Sequence, residues 1–82
     1  MGLAKAYEEI VDFIAAGSSP QNVIAFRPSS ETRHRVWELV EREKSGNLSE
    51  EESSELAQYL QLEHIMRLAK ARAQSFAQAT KT

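Results

Sequence analysis

The last third of the chain constrains the fold most, because it is predicted to form one long helix with a well-marked start. Ser49 and Glu52 have the spacing of a capping box, in which the hydroxyl and the carboxylate each accept from the other residue's amide. From there to about Ala79 the chain contains no Gly and no Pro. A helix over residues 50–79 spans roughly 45 Å. The rest of so small a chain is too short to cover it.

Size and composition favour a soluble single domain, residues 1–82, that needs extra stabilisation. At 82 residues one core is only marginally sufficient. The chain has no Cys, which excludes disulfides and thiolate metal sites and leaves oligomerisation as the expected supplement. A net charge of −2 gives no pull towards nucleic acid or an anionic membrane. With neither a secretory signal nor a membrane span in the sequence, we expect a cytoplasmic protein.

Two further helices have clear ends. Apolar residues at spacings of three and four predict a helix over residues 3–16, which stops at Gly17. A helix over residues 30–45 is expected to start at a serine and to stop at Gly46. The tight reversal after it predicts an antiparallel hairpin with the long helix.

The segment between the first and third helices has two interpretations. Pro20 suits the first position of a short helix over residues 19–26, and Pro28 would end it. Residues 22–27 are also rich in β-forming side chains, so a short strand is the alternative. We favour the helix, because a lone strand needs a second chain to pair with.

The predicted fold is therefore all-α, a small three- to four-helix domain with a long C-terminal helix. The last residues, 77–82, lack apolar bulk and are expected to fray. We expect one core formed by Ile10, Ile14, Trp37, Leu39, Leu60 and Ile65.

The long helix carries a candidate interface. Six residues step by three and four in the manner of a coiled-coil seam, namely Tyr59, Leu62, Met66, Ala69, Ala73 and Phe76. A second apolar set lies outside the seam, so the helix is apolar around much of its circumference. The other helices within the monomer could cover the seam. We expect instead that it mediates self-association, as a dimer, or contacts another protein.

Chemical sites are harder to find. Arg67, Lys70 and Arg72 could contact a phosphate or an acidic partner, although cations late in a helix also suit its dipole. His64 lies beside Glu63, and adjacent helical residues point about 100° apart, which does not suit metal chelation. The serines sit at predicted caps and turns, where bonds from their hydroxyls to the backbone explain them without a catalytic role. We expect no catalytic residue, no metal and no cofactor, and therefore no enzyme.

Several stretches resemble a family of short, uncharacterised cyanobacterial helical proteins. The stretch over residues 62–73, Leu-Glu-His-Ile-Met-x-Leu-Ala-Lys-Ala-x-Ala, is the most specific. The resemblance also covers residues 7–17, 19–20, 26–29 and 46–51. It implies an antitoxin-like role, in which the chain covers a small nuclease-like toxin.

The functional hypotheses are thus a protein-interaction module, for which the resemblance implies an antitoxin-like role, and two alternatives. The first alternative is a DNA-binding regulator of ribbon-helix-helix type, in which residues 22–28 pair as strands in a dimer. Its strand would present a poor set of base-reading side chains, so nucleic acid is not the expected partner. The second alternative is a purely structural homo-oligomer.

Overall fold

The structure is a computed structural model that describes residues 5–79, and within them the chain forms four helices and no strand. The helices are α1 (Glu8–Ala16), α2 (Pro20–Ala25), α3 (Ser30–Lys44) and α4 (Glu50–Ala79). The molecule measures 52 × 27 × 18 Å, and α4 runs along its length. The all-α prediction is confirmed, and residues 20–25 adopt the favoured helix rather than the strand that the ribbon-helix-helix alternative requires.

Serine caps start three of the four helices. At α4 the capping box forms in both directions: Glu52 N donates to Ser49 Oγ over 3.1 Å, and Ser49 N donates to Glu52 Oε1 over 3.2 Å. The hydroxyls of Ser19 and Ser29 each accept from the amide three residues ahead. These bonds satisfy backbone donors that have no partner inside the helix.

Glycines set the ends of α1 and α3. Gly17 has φ +74° and Gly46 has φ +77°, a region that side chains with a Cβ rarely adopt. After α3 the amide of Gly46 donates to Glu43 O and the amide of Asn47 donates to Arg42 O, which is a Schellman motif. The motif turns the chain directly into the α3–α4 hairpin.

The start of α1 differs from the prediction. The helix begins at Glu8 rather than at residue 3, and residues 3 and 4 lie outside the described part of the chain. Lys5 and Glu8 close a turn, in which each amide donates to the other residue. Between them, Ala6 N donates to the carboxylate of Glu55 on α4 over 2.8 Å. Because this bond holds the chain against α4, α1 starts only after the turn.

The core lies between α4 and the first two helices. Ala6, Ile10, Tyr59 and Met66 form its buried cluster. Half-buried side chains pack around it, namely Tyr7, Phe13, Val23, Phe26, Val36, Leu62 and Ala69. The short α2 lies close along α4, while α3 pairs with α4 as the predicted hairpin.

The predicted core was partly wrong. Ile10 and Leu39 are buried, but Ile14, Trp37, Leu60 and Ile65 are 53%, 59%, 48% and 49% exposed. In α4 the inward face passes through Tyr59 and Met66, and Leu60 is turned about 100° away from Tyr59. In α3 the inward face contains Thr32 and Leu39, so Trp37 points outwards.

One buried carboxylate connects three parts of the chain. The Glu55 side chain is only 2% exposed. Besides the Ala6 amide it accepts from Arg35 of α3, with Nε–Oε2 at 3.1 Å and Nη2–Oε1 at 2.9 Å. This forked geometry is the strong form of a charge-assisted hydrogen bond. The hydrogen bonds from Arg35 hold the pKa of Glu55 below its ordinary value although burial opposes this, and the same pairing raises the pKa of Arg35.

Two isoleucines on α1 test the packing. Ile10→Ala should lower the free energy of unfolding by about 2–5 kcal/mol, because Ile10 is 1% exposed and its truncation leaves a cavity. Ile14→Ala, at a 53% exposed position, should cost less than about 1 kcal/mol. Urea unfolding followed by circular dichroism measures both. Equal costs would contradict the packing of α1.

Lowering the pH should reveal how much Glu55 contributes to the free energy of unfolding. Its pKa is lowered on folding, so its stabilisation is complete above the unfolded value of about 4.3 and is lost as pH falls through the folded value. Glu55→Gln should cost about 1–3 kcal/mol at neutral pH, because half-buried Arg35 loses its partner, and should reduce the loss of stability in acid. Part of the acid-induced loss of stability should persist in this variant, because the pKa of Glu52 is also lowered on folding.

The matched control is Glu51→Gln, at an exposed position in the first turn of α4. Urea unfolding between pH 3 and pH 7 measures the acid dependence, and at pH 7 Glu51→Gln should change the free energy of unfolding by less than about 1 kcal/mol. An unchanged acid dependence in Glu55→Gln would contradict the assignment to Glu55.

Candidate interaction surface

The predicted seam is mostly covered within the monomer. Tyr59, Met66 and Ala73 are 4%, 6% and 5% exposed. Leu62 and Ala69 are half-buried, and only Phe76 is exposed, at 55%. The expectation of a continuous free seam is therefore wrong, because the first two helices pack against its N-terminal part. Phe76 lies beyond them, as the sequence had suggested.

Beside the seam, a mostly apolar strip of α4 is exposed except at half-buried Ala69. Four residues follow one another at offsets of four, three and four and so share one side of the helix, namely Ile65, Ala69, Arg72 and Phe76. Leu68 flanks them and is 59% exposed. We call these five residues the α4 stripe. Beyond Glu63 the helix carries no acid up to Ala79, and its charged residues there are all cations.

The α4 stripe continues into a groove between α1, α2 and α4. The groove has a volume of about 170 Å³ and is lined by Phe13, Ile14, Ser18, Val23, Ile65, Met66 and Ala69. Ile65 and Ala69 belong to both features. Exposed Ile14 extends the apolar surface onto α1. Together the stripe and the groove form one apolar surface on one side of the molecule.

The three predicted basic residues do not form a cluster. Arg67 Nη2 pairs with Glu63 Oε1 at 2.9 Å, and half-buried Lys70 Nζ donates to the backbone oxygen of Phe26 at 2.7 Å. Arg72 lies in the α4 stripe, about 200° around the helix from Lys70. The structure instead brings Lys70 close to Arg27, which sequence reasoning missed because no spacing rule connects residues so far apart.

A metal-like spacing on α3 was also missed. Glu31, His34 and Glu38 stand at helical offsets of three and four, which places them on one side of the helix. His34 Nε2 lies 3.7 Å from Glu38 Oε2, and its ring stacks on exposed Trp37 at a centroid distance of 6.0 Å. Within residues 5–79 no three acidic or histidine side chains are placed to hold a metal ion.

No protein-family model matches the chain significantly, and neither does any curated protein or solved structure. The cyanobacterial resemblance therefore stays a prediction. In the part of the chain that the structure describes, no helix is long and apolar enough to cross a membrane.

Substitution by Glu at two positions of α4 compares the stability cost at a buried position with the cost at an exposed one. Met66→Glu should lower the free energy of unfolding by at least about 3 kcal/mol, because it places a charge in the buried cluster. Phe76→Glu should change it by less than about 1 kcal/mol, because Phe76 is more than half exposed. Thermal and urea unfolding measure both variants. Similar costs would contradict the orientation of α4.

Proposed function

We propose that this chain is a non-enzymatic protein-interaction module that self-associates through the α4 stripe. The observation that carries the proposal is the exposure of Ile65, Leu68 and Phe76 along one rod, next to an apolar groove. Single exposed apolar residues are ordinary on protein surfaces, but a contiguous patch is typical of an interaction site. The non-enzymatic part of the proposal is supported by the serines: the hydroxyls of Ser19, Ser29 and Ser49 each accept a backbone hydrogen bond as helix caps, which is a structural role.

A second copy is the occupant that the spacing favours. Ile65 and Phe76 stand eleven residues apart, roughly 16 Å along the helix axis. In a two-fold pair of antiparallel α4 helices, Ile65 of each copy faces Phe76 of the other, so one contact forms twice. The small side chain of Ala69 lies between them and allows the helices to approach closely.

Arg72 is compatible with this surface. Its aliphatic stem can cover neighbouring apolar atoms while the guanidinium stays in water. Arginine is also enriched in protein interfaces. The whole-chain net charge of −2 adds little overall repulsion between two copies, although Arg72 of each copy lies in the shared surface.

Sedimentation equilibrium over a wide range of protein concentration tests the proposal. The unmodified protein should dimerise, and Phe76→Glu should be monomeric with an unchanged helical circular dichroism spectrum. Gln74→Glu is the matched control, because it adds the same charge at an exposed position on the far side of α4. This control should still dimerise.

Two results would count against self-association through the stripe. A dimer that survives Phe76→Glu would place the interface elsewhere on the chain. An unmodified protein that stays monomeric at millimolar concentration would show that the surface does not bind its own copy. The antitoxin-like proposal would then gain, since it assigns the surface to another protein.

A further inference from the structure

Two cations converge on one backbone carbonyl at the end of α2. The oxygen of Phe26 accepts from Lys70 Nζ at 2.7 Å and from Arg27 Nη1 at 2.8 Å. Arg27 Nη1 also donates to Ile24 O at 3.3 Å. Because both bonds end on the same oxygen, the ammonium and the guanidinium lie within a few ångströms of each other.

This positive charge is not balanced by a carboxylate. Within residues 5–79 neither Arg27 nor Lys70 forms an ion pair, whereas Arg35, Arg42 and Arg67 each do. Burial, and after it the nearby charge of Arg27, lowers the pKa of Lys70. A carbonyl dipole offsets only part of two full charges, so an anion placed here would be stabilised.

A small cavity lies beside the ammonium. It has a volume of about 110 Å³ and is lined by Ile10, Phe26, Pro28, Tyr59, Glu63, Met66, Arg67 and Lys70. Glu63 is held by Arg67, which leaves Lys70 as the cation of the lining without a carboxylate partner. The cavity is large enough for a small oxyanion beside Lys70. Arg27 does not line the cavity and approaches Lys70 at the Phe26 carbonyl.

Capping of α2 explains part of this arrangement. Cations near the end of a helix commonly donate to its last carbonyl groups. Capping nevertheless uses only one of the three donors of Lys70, and it leaves Nε and Nη2 of Arg27 unused in the described structure. The unused donors belong to two cations that already lie close together.

We propose that Arg27 and Lys70 form a binding site for a small oxyanion, a phosphate or carboxylate group, at the end of α2. The anion accepts from the remaining donors of Lys70 and from the guanidinium fork of Arg27, which matches the planar spacing of two anionic oxygens. The site goes beyond the proposed function, because Lys70 lies far around α4 from Arg72 in the α4 stripe. Anion binding and self-association can therefore fail separately.

Titration of the full-length ¹⁵N-labelled protein with sodium phosphate, and separately with sodium acetate, at constant ionic strength, tests the site by NMR. At least one of the two anions should shift the amide signals of Phe26, Arg27 and Ser29 in a saturable manner. The tighter binder identifies the preferred oxyanion. Arg27→Gln should weaken binding at least roughly tenfold, because it removes a charge-assisted hydrogen bond. Arg27 is exposed, so this variant should fold normally.

Arg33→Gln is the matched control, since it removes the same charge from an exposed position on α3, outside both the cavity lining and the α4 stripe. It should bind the anion as tightly as the unmodified protein does. The proposal is overturned if neither anion gives saturable shifts, or if the Arg33 and Arg27 variants lose binding equally. The second result would indicate general attraction to positive charge rather than a site.

Discussion

The hydrogen-bonded carboxylate of Glu55 is the constraint on which the rest of the fold depends. It holds the N-terminal turn through Ala6 and holds α3 through Arg35. A buried ion pair contributes less net stability than its geometry suggests, since both charges lose water. Here the ion pair determines which residues of α4 face the core. With Glu55 turned inwards, residues four and eleven positions later, Tyr59 and Met66, must also face inwards. The rotation of the whole rod follows from this anchor.

The helix boundaries were largely predictable because their signals are local. The capping box at Ser49, the stop at Gly17 and the reversal at Gly46 each depend on residues within one helical turn. The rotation of α4 was not predictable in the same way. Apolar residues lie on several of its sides, so periodicity leaves more than one face as the candidate core. The residue that determines this rotation is Glu55. A glutamate is not expected to be buried unless it is paired, and its partner Arg35 lies on another helix.

The candidate sites also divide into features that local sequence predicts and features that depend on how the helices pack. Phe76 was predicted correctly as exposed, because it lies beyond the reach of a short first helix. Ile65 was assigned to the core and instead joins the solvent-facing α4 stripe, since its side depends on the rotation that Glu55 sets. The meeting of Arg27 and Lys70 arises only when α2 lies along α4. No spacing in the sequence indicates it.

The distribution of charge along α4 affects how two copies would meet. Acids occupy the helix up to Glu63, and only cations follow. An antiparallel pair that overlaps around Ala69 brings the cationic halves of both rods together and leaves the acidic halves at opposite ends. Association would then work against its own electrostatics and would rely on apolar contact. Dissolved salt, which screens like charges, would strengthen such a pair, whereas it weakens complexes held together by ion pairs.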